Sequence, residues 1–206
     1  GGGLSGESLT KVAICGFNHD GRVHVLFGMM FKSTDSTQKQ AEIIHYLWQI
    51  TKAPYIAHDN LGLGSGCEAM LIEKGVPASS LVPMEYAGET QGQIMRPRRA
   101  TLDRPRPAVS IDKTRSMLHM IEAFRSGQIL TFKAEKARHA LDLLLDLTHL
   151  RAEERVWVHS VKSETVLIGK EPGTSDDFAH AIHFASNWLW YQYGMPVLTK
   201  QLILQA

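Results

Sequence analysis

Apolar, β-prone residues run from Lys11 to Cys15 and again from Arg22 to Phe31, with Asn18-His19-Asp20-Gly21 between them. The Asp-Gly pair accepts the positive φ of a tight turn, so the two runs predict a β-hairpin. From Ser36 to Lys52 the pattern changes to a helical period, with Ala41, Ile44, Leu47 and Trp48 on one face and Ser36 placed to cap it. Pro54 closes that helix, and Tyr55-Ile56-Ala57 predicts a short buried strand running into His58-Asp59.

Gly62, Gly64 and Gly66 supply a turn, Cys67 to Lys74 predicts a helix ended by Gly75, and Ser80 to Met84 another strand. Tyr86 to Pro107 is rich in Gly, Pro and Arg and reads as a long exposed loop. A helix over Asp112 to Arg125, a strand over Gln128 to Phe132 and a helix over Lys133 to Leu150 follow. Val156 to His159 and Thr165 to Ile168 predict a hairpin. The last helix starts near Ser175 and runs to Tyr193, where Gly194 and Pro196 stop it. Strands interleaved with helices after an opening hairpin predict an α/β domain, with a mixed sheet flanked by α-helices.

Composition narrows this picture. At 206 residues the chain fits a single domain spanning 1–206. No apolar run approaches the roughly 20 residues of a membrane-spanning helix. Cys15 and Cys67 form neither a disulfide framework nor a metal-knuckle spacing, which predicts reduced thiols. The net charge of +1 says little, but its distribution says more: Arg96, Arg98, Arg99, Arg104 and Arg106 crowd one proline-punctuated segment. Guanidiniums so clustered suit phosphate neutralisation, and Lys113, Arg115 and Lys162 would extend such a nucleic-acid surface. The chain opens Gly1-Gly2-Gly3 without an initiator methionine, the expectation for a fragment of a longer protein.

The strongest chemical signal is Ser175-Asp176-Asp177-Phe178-Ala179-His180-Ala181 at a helix start. Asp177 and His180 are i and i+3 neighbours, and Asp176 and His180 i and i+4, so either pair can converge on one ion. The same carboxylates would also serve as helix caps against the macrodipole. His183, further along, reads as a partly buried histidine with a local hydrogen bond. Asp59 ends a buried strand before a glycine turn, the place where ligands bind in open α/β sheets. Brought together, Asp59, Asp176, Asp177 and His180 would form a site for hard divalent cations. The glycines do not fit the dinucleotide fingerprint and no Walker A sequence occurs, which excludes a phosphate loop of that type. Asp20, Asp35 and His58 read as turn or surface residues, and Cys67 as a packed thiol.

Four stretches in this order resemble the C-terminal nuclease domain of the large terminase subunit of tailed bacteriophages. They are Gly1-Gly2-Gly3-Leu4-Ser5-Gly6-Glu7-Ser8, Asp59-Asn60-Leu61-Gly62-Leu63-Gly64, Ile111-Asp112-Lys113-Thr114 with Ser126-Gly127-Gln128-Ile129, and Asp176-Asp177-Phe178-Ala179-His180-Ala181. The resemblance implies an RNase H-like fold whose carboxylates hold two Mg2+ or Mn2+ ions and cut double-stranded DNA during genome packaging. Asp59 matches the second acidic position of that family, the Asp176-Asp177 pair the third, with Asp177 the preferred direct ligand. Glu7 falls where a later acidic residue of the first motif stands. The family's first strand and its aspartate would precede Gly1. The resemblance further implies an upstream ATPase domain, a portal protein and a small terminase subunit as partners, and the cytoplasm of an infected bacterium as the setting. A resolvase acting on branched DNA and a non-catalytic DNA-binding or docking module are the competing readings.

Overall fold

The structure, a computed structural model, describes residues 9–60, 63–87, 93–100, 102, 107–132, 140–156 and 164–194 (backbone only for 63–65, 152–156 and 164–167). Strands β1 (Lys11–Phe17) and β2 (Val23–Met30) form the expected antiparallel hairpin, with a register shift between Ile14 and Cys15. Its turn carries Gly21 at φ +77°, and Asn18 accepts the backbone N–H groups of Asp20 and Arg22. Helix α1 (Thr37–Thr51) is capped by Ser36, which accepts from Lys39 N.

Strand β3 (Ile56–Asp59), helix α2 (Leu63–Glu73) and strand β4 (Leu81–Ala87) follow, with β3 and β4 parallel. Helix α2 starts earlier than its apolar run suggests. Strand β6 (Ala108–Asp112) pairs parallel to β4, and helix α3 (Lys113–Arg125) begins directly after it, capped by Asp112. Strand β7 (Ile129–Leu130) adds parallel to β2 and is shorter than expected. Helix α4 (Ala140–Thr148) occupies the later part of the expected helix; 133–139 lie outside the described residues, and the helix stops short of Leu150, which begins the next strand. Strands β8 (Leu150–Val156) and β9 (Glu164–Lys170) pair antiparallel, and helix α5 (Asp177–Tyr193) closes the described chain.

Two expectations need correction. The Tyr86–Pro107 segment is not all loop: Met95–Arg98 form strand β5, antiparallel to β6. Pro97 is compatible with this because β5 is an edge strand, where a missing N–H costs no ladder bond on the outer side. The first strand of the late hairpin also lies earlier than expected, since the charged run Arg151-Ala152-Glu153-Glu154-Arg155 pairs as β8. Its apolar tail Val156 to His159 was the more visible signal, and 157–159 lie outside the described residues.

Among the described residues the strands form three sheets rather than a single one, ordered β1-β2-β7, β3-β4-β6-β5 and β8-β9. In the second, alternate residues serve opposite faces, as the pleat requires. Val82, Met84, Val109 and Ile111 pack against Phe184 and Trp188 of α5. Leu81 and Ile56 turn the other way, onto Ala41, Trp48 and Leu71 of α1 and α2. The first sheet packs Val23, Val25 and Ile129 on Met117, Met120, Leu143, Phe178 and Ile182. Helix α5 therefore underlies both sheets. On β2, Gly28 is required by that packing, because a Cβ there would lie 2.5 Å from the Phe178 ring.

Candidate functional site

The N-terminal end of α5 is held from three directions. Asp146, on α4, accepts the Phe178 N–H at 2.8 Å, doing the capping that Asp176 does not do. The same Oδ2 takes Lys11 Nζ at 2.6 Å, in an ion pair almost wholly out of solvent. Lys11 Nζ also donates to Ser175 Oγ at 2.9 Å. Asp177 Oδ2 accepts from Leu9 N and from Ser175 Oγ, both at 3.1 Å, so this carboxylate ties the start of β1 to the helix. The helix start is thereby fixed against both the first strand and α4.

Asp176 is 7% exposed and turned elsewhere. Its Oδ2 lies 2.9 Å from His180 Nε2, one helical turn on, and its Oδ1 3.6 Å from Lys170 Nζ. A carboxylate only accepts, so His180 donates through Nε2, and its Nδ1 makes a short hydrogen bond with the Tyr86 hydroxyl. Tyr86 is near the end of β4 and its hydroxyl also approaches His183 Nδ1 at 3.3 Å. His183 Nε2 donates to Ser116 Oγ at 2.7 Å, while Ser116 itself donates to the Asp112 carbonyl. A continuous polar chain therefore runs Asp176–His180–Tyr86–His183–Ser116 from the site into the core.

The electrostatics follow from burial. The Tyr86 phenol is pushed well above its ordinary range, first by desolvation and then by the charges of Asp59 and Asp176. Both carboxylates line a groove that Tyr86 also lines, at the end of β3 and the start of α5. Burial pushes the Asp176 carboxyl up, but the His180 hydrogen bond and charge, with Lys170 and Lys113, outweigh it and leave it below the usual value. His183, fully buried, is held well below its ordinary value by desolvation and by the charges of His180, Lys113 and His119. Lys113 Nζ stands 5.2 Å from the Tyr86 ring centroid, a cation–π placement.

Asp59, Asp176, Asp177, His180 and Lys113 line one groove of about 760 Å³. Among the described residues, the arginines do not. Arg96 and Arg99 are exposed, at β5 and just beyond it, on the sheet edge opposite β3. Three strand spacings separate those edges, about 14 Å. Arg98 pairs with Glu85 and donates to Ser110 Oγ at 3.1 Å, which ties β5 to β4 and β6. Arg115 is exposed at the start of α3. Glu7, Arg104, Arg106 and Lys162 lie outside the described residues.

His183 is wholly rather than partly buried, and His58 is no surface residue: it lines the groove 3.4 Å from Glu68 of α2. Tyr86, Lys170 and Asp146 carry no motif in the sequence. Asp146 left one trace, sharing the i, i+3 stripe of Ala140 and Leu143, where a charge has no reason to be unless paired. Both cysteines are free thiols whose pKa is raised by burial, Cys15 to about 12.

As donors, Asp59, Asp176 and Asp177 offer the oxygen chemistry that selects magnesium and manganese. Among the described residues, no group of three or more His, Cys, Asp or Glu side chains is arranged to hold an ion as it stands. Among them, too, no helix is long and apolar enough to cross a membrane. No protein-family model, no curated protein and no solved structure matches the chain.

Proposed function

We propose that this chain is a divalent-metal-dependent endonuclease acting on double-stranded DNA, an RNase H-like domain of the kind found in large terminase subunits. The observation that carries the reading is that Asp59 and Asp176, more than a hundred residues apart in sequence, line one groove and both act electrostatically on the Tyr86 hydroxyl. Asp59 and Tyr86 stand at the carboxyl ends of parallel strands, where α/β sheets place their chemistry. Asp59 and Asp176 would hold a hard cation there, which would supply an activated water and stabilise the leaving oxygen of a phosphodiester.

The chain's own groups set the rest of the site. Asp59 and Asp176 are the carboxylates best placed to hold an ion, and Asp177, with one oxygen already engaged by Leu9 N, holds the helix start in position. His180 is oriented by Asp176 and Tyr86. Lys113 and Lys170 border the carboxylates and offer positive charge to a phosphate. Arg96 and Arg99 would meet the duplex backbone beyond the groove, a contact that positions without reading sequence. In a longer protein the partners would be an ATPase domain, a portal protein and a small terminase subunit, in the cytoplasm of an infected bacterium.

The test is nicking of supercoiled plasmid with manganese, magnesium or chelator, by the wild-type chain and by Asp59→Ala and Asp176→Ala. Manganese-dependent nicking lost in both variants is expected. A parallel thermal-shift series without DNA should show stabilisation by manganese that Asp176→Ala abolishes, as mass action requires for a ligand bound only by the folded state. Nicking that survives chelator, or both substitutions, would overturn the proposal.

A further inference from the structure

Three lysines line the groove beside the carboxylates, and their surroundings differ. Lys11 is locked: its ammonium stands 2.6 Å from Asp146 and 2.9 Å from Ser175 Oγ, with 4% of the side chain exposed. Lys113, the first residue of α3, holds its ammonium 5.2 Å from the Tyr86 ring centroid. Lys170 is held more loosely. It pairs with Asp176 Oδ1 at 3.6 Å, and 38% of its side chain is exposed. An ion pair that long and that wet contributes little, so its partner can be exchanged at small cost.

The backbone that carries Lys170 is fixed. Lys170 is the last residue of β9, paired with Leu150 across the hairpin, and Glu171 N donates to the His149 carbonyl directly after it. Thr174 closes the following turn, its N–H and its hydroxyl both donating to the Glu171 carbonyl. An anchored backbone thus bears a flexible four-carbon stem with a compact charge at its tip.

What that charge covers is the oxygen an ion would need. Asp176 Oδ2 takes His180 Nε2, so Oδ1 is the oxygen the imidazole does not engage, and Lys170 stands at it. An ion bonded to Oδ1 would lie within about 6 Å of that ammonium, two like charges at one carboxylate.

We propose that Lys170 is an exchangeable counter-charge: in the metal-free protein it occupies the place of an ion on Asp176 Oδ1, and on ion entry it swings to a non-bridging oxygen of the phosphodiester. The inference rests on the nuclease reading and adds the residue that balances charge before and after the ion enters. Before entry, Lys170 offsets a carboxylate that is only 7% exposed. After entry, its N–H donors pass from carboxylate to phosphate, where they offset one negative charge of the substrate. No covalent bond of Lys170 changes.

Two measurements should move in opposite directions. Manganese binding without DNA, by isothermal titration calorimetry, and nicking at saturating manganese are compared between the 206-residue chain and Lys170→Met, which keeps the stem and removes the charge. Lys170→Met should bind manganese about tenfold more tightly, the size of a unit charge repelling a divalent ion across about 6 Å of a water-like medium. It should nick about 10- to 100-fold more slowly. A structural role would weaken both or neither. Lys170→Arg, which keeps the charge, should hold wild-type affinity and most of the rate. Arg151, on the neighbouring strand, pairs with Glu171 at 2.8 Å and does not line the groove, so Arg151→Met should alter neither measurement. Equal tightening in Arg151→Met would trace the effect to net charge and overturn the assignment. Affinity unchanged or weakened in Lys170→Met would overturn it too. So would tighter binding with an undiminished rate, because the lysine would then never reach the phosphate. In each of these cases Asp176→Ala would still abolish manganese binding, and the nuclease reading would stand. A wild-type chain that binds no manganese, or whose binding survives Asp176→Ala, would overturn the nuclease reading and this inference with it.

Discussion

Two buried carboxylates stand at the same helix start and do different things. Asp146 is 2% exposed and Asp176 7%, so burial alone does not separate them. Asp146 spends its Oδ2 on Lys11, Ser175 and the Phe178 N–H, all structural partners. Asp176 caps nothing. It faces an imidazole that relays to a buried phenol, and a lysine that is itself partly exposed. What distinguishes a structural from a chemical carboxylate here is the identity of its partners: backbone and a buried ammonium in one case, titratable side chains in the other. The first anchors the helix so that the second has a fixed position.

The strongest way to break this contrast is to remove the anchor. Asp146→Ala leaves Lys11 buried without its counter-charge and the Phe178 N–H uncapped, and should cost about 3–5 kcal/mol of stability. Denaturant unfolding measures it; a loss near zero would mean that the pair holds nothing. Gly28→Ala attacks the same anchored start from the sheet side. Its new Cβ meets the Phe178 ring, which Asp146 prevents from retreating, and overpacking of this kind should cost about 1–3 kcal/mol. Asp176→Asn keeps the shape and an acceptor, so its stability loss at neutral pH should stay near 1 kcal/mol. Metal-dependent nicking and the manganese thermal shift should nevertheless vanish.

Protonation sharpens the comparison. His183 has a folded-state pKa well below 6.5, so below about that pH the unfolded chain takes up a proton that the folded chain refuses. Stability should therefore fall as pH drops through 6.5 and be independent of this group above it. His183→Gln should flatten that limb of the pH–stability curve, whatever its effect at neutral pH. An unchanged slope would place the titration elsewhere, His119 being the next candidate, since its pKa is also lowered by burial. The smallest effect on stability is expected for Arg96→Ala with Arg99→Ala. Both side chains are exposed, and surface changes of this kind stay within about 0.5 kcal/mol. If they touch phosphates, log–log salt dependence of DNA binding should flatten by about 0.9 for each phosphate no longer neutralised.

The hairpin, the helices from Ser36 and Ser175, and the strand ending at Asp59 were legible because period and turn chemistry are local properties. The Asp-Gly turn, the Ser36 cap and the apolar run to Asp59 need nothing beyond neighbouring residues. Strand β5 was not legible: Arg-Pro-Arg carries no strand propensity, and only β6 alongside, with Glu85 and Ser110 beneath Arg98, makes it a strand. Asp59, Asp176, Asp177 and His180 could be singled out from helix-end and strand-end positions. Their division of labour could not. Which carboxylate ties down backbone, that the histidine beside Asp176 meets Tyr86, and that an aspartate on α4 caps α5 depend on contacts across more than 25 residues of sequence. Local spacing determined which side chains are able to meet; the packing of α5 beneath two sheets decided which of them do, and left a groove between the sheets that no pattern along the chain records.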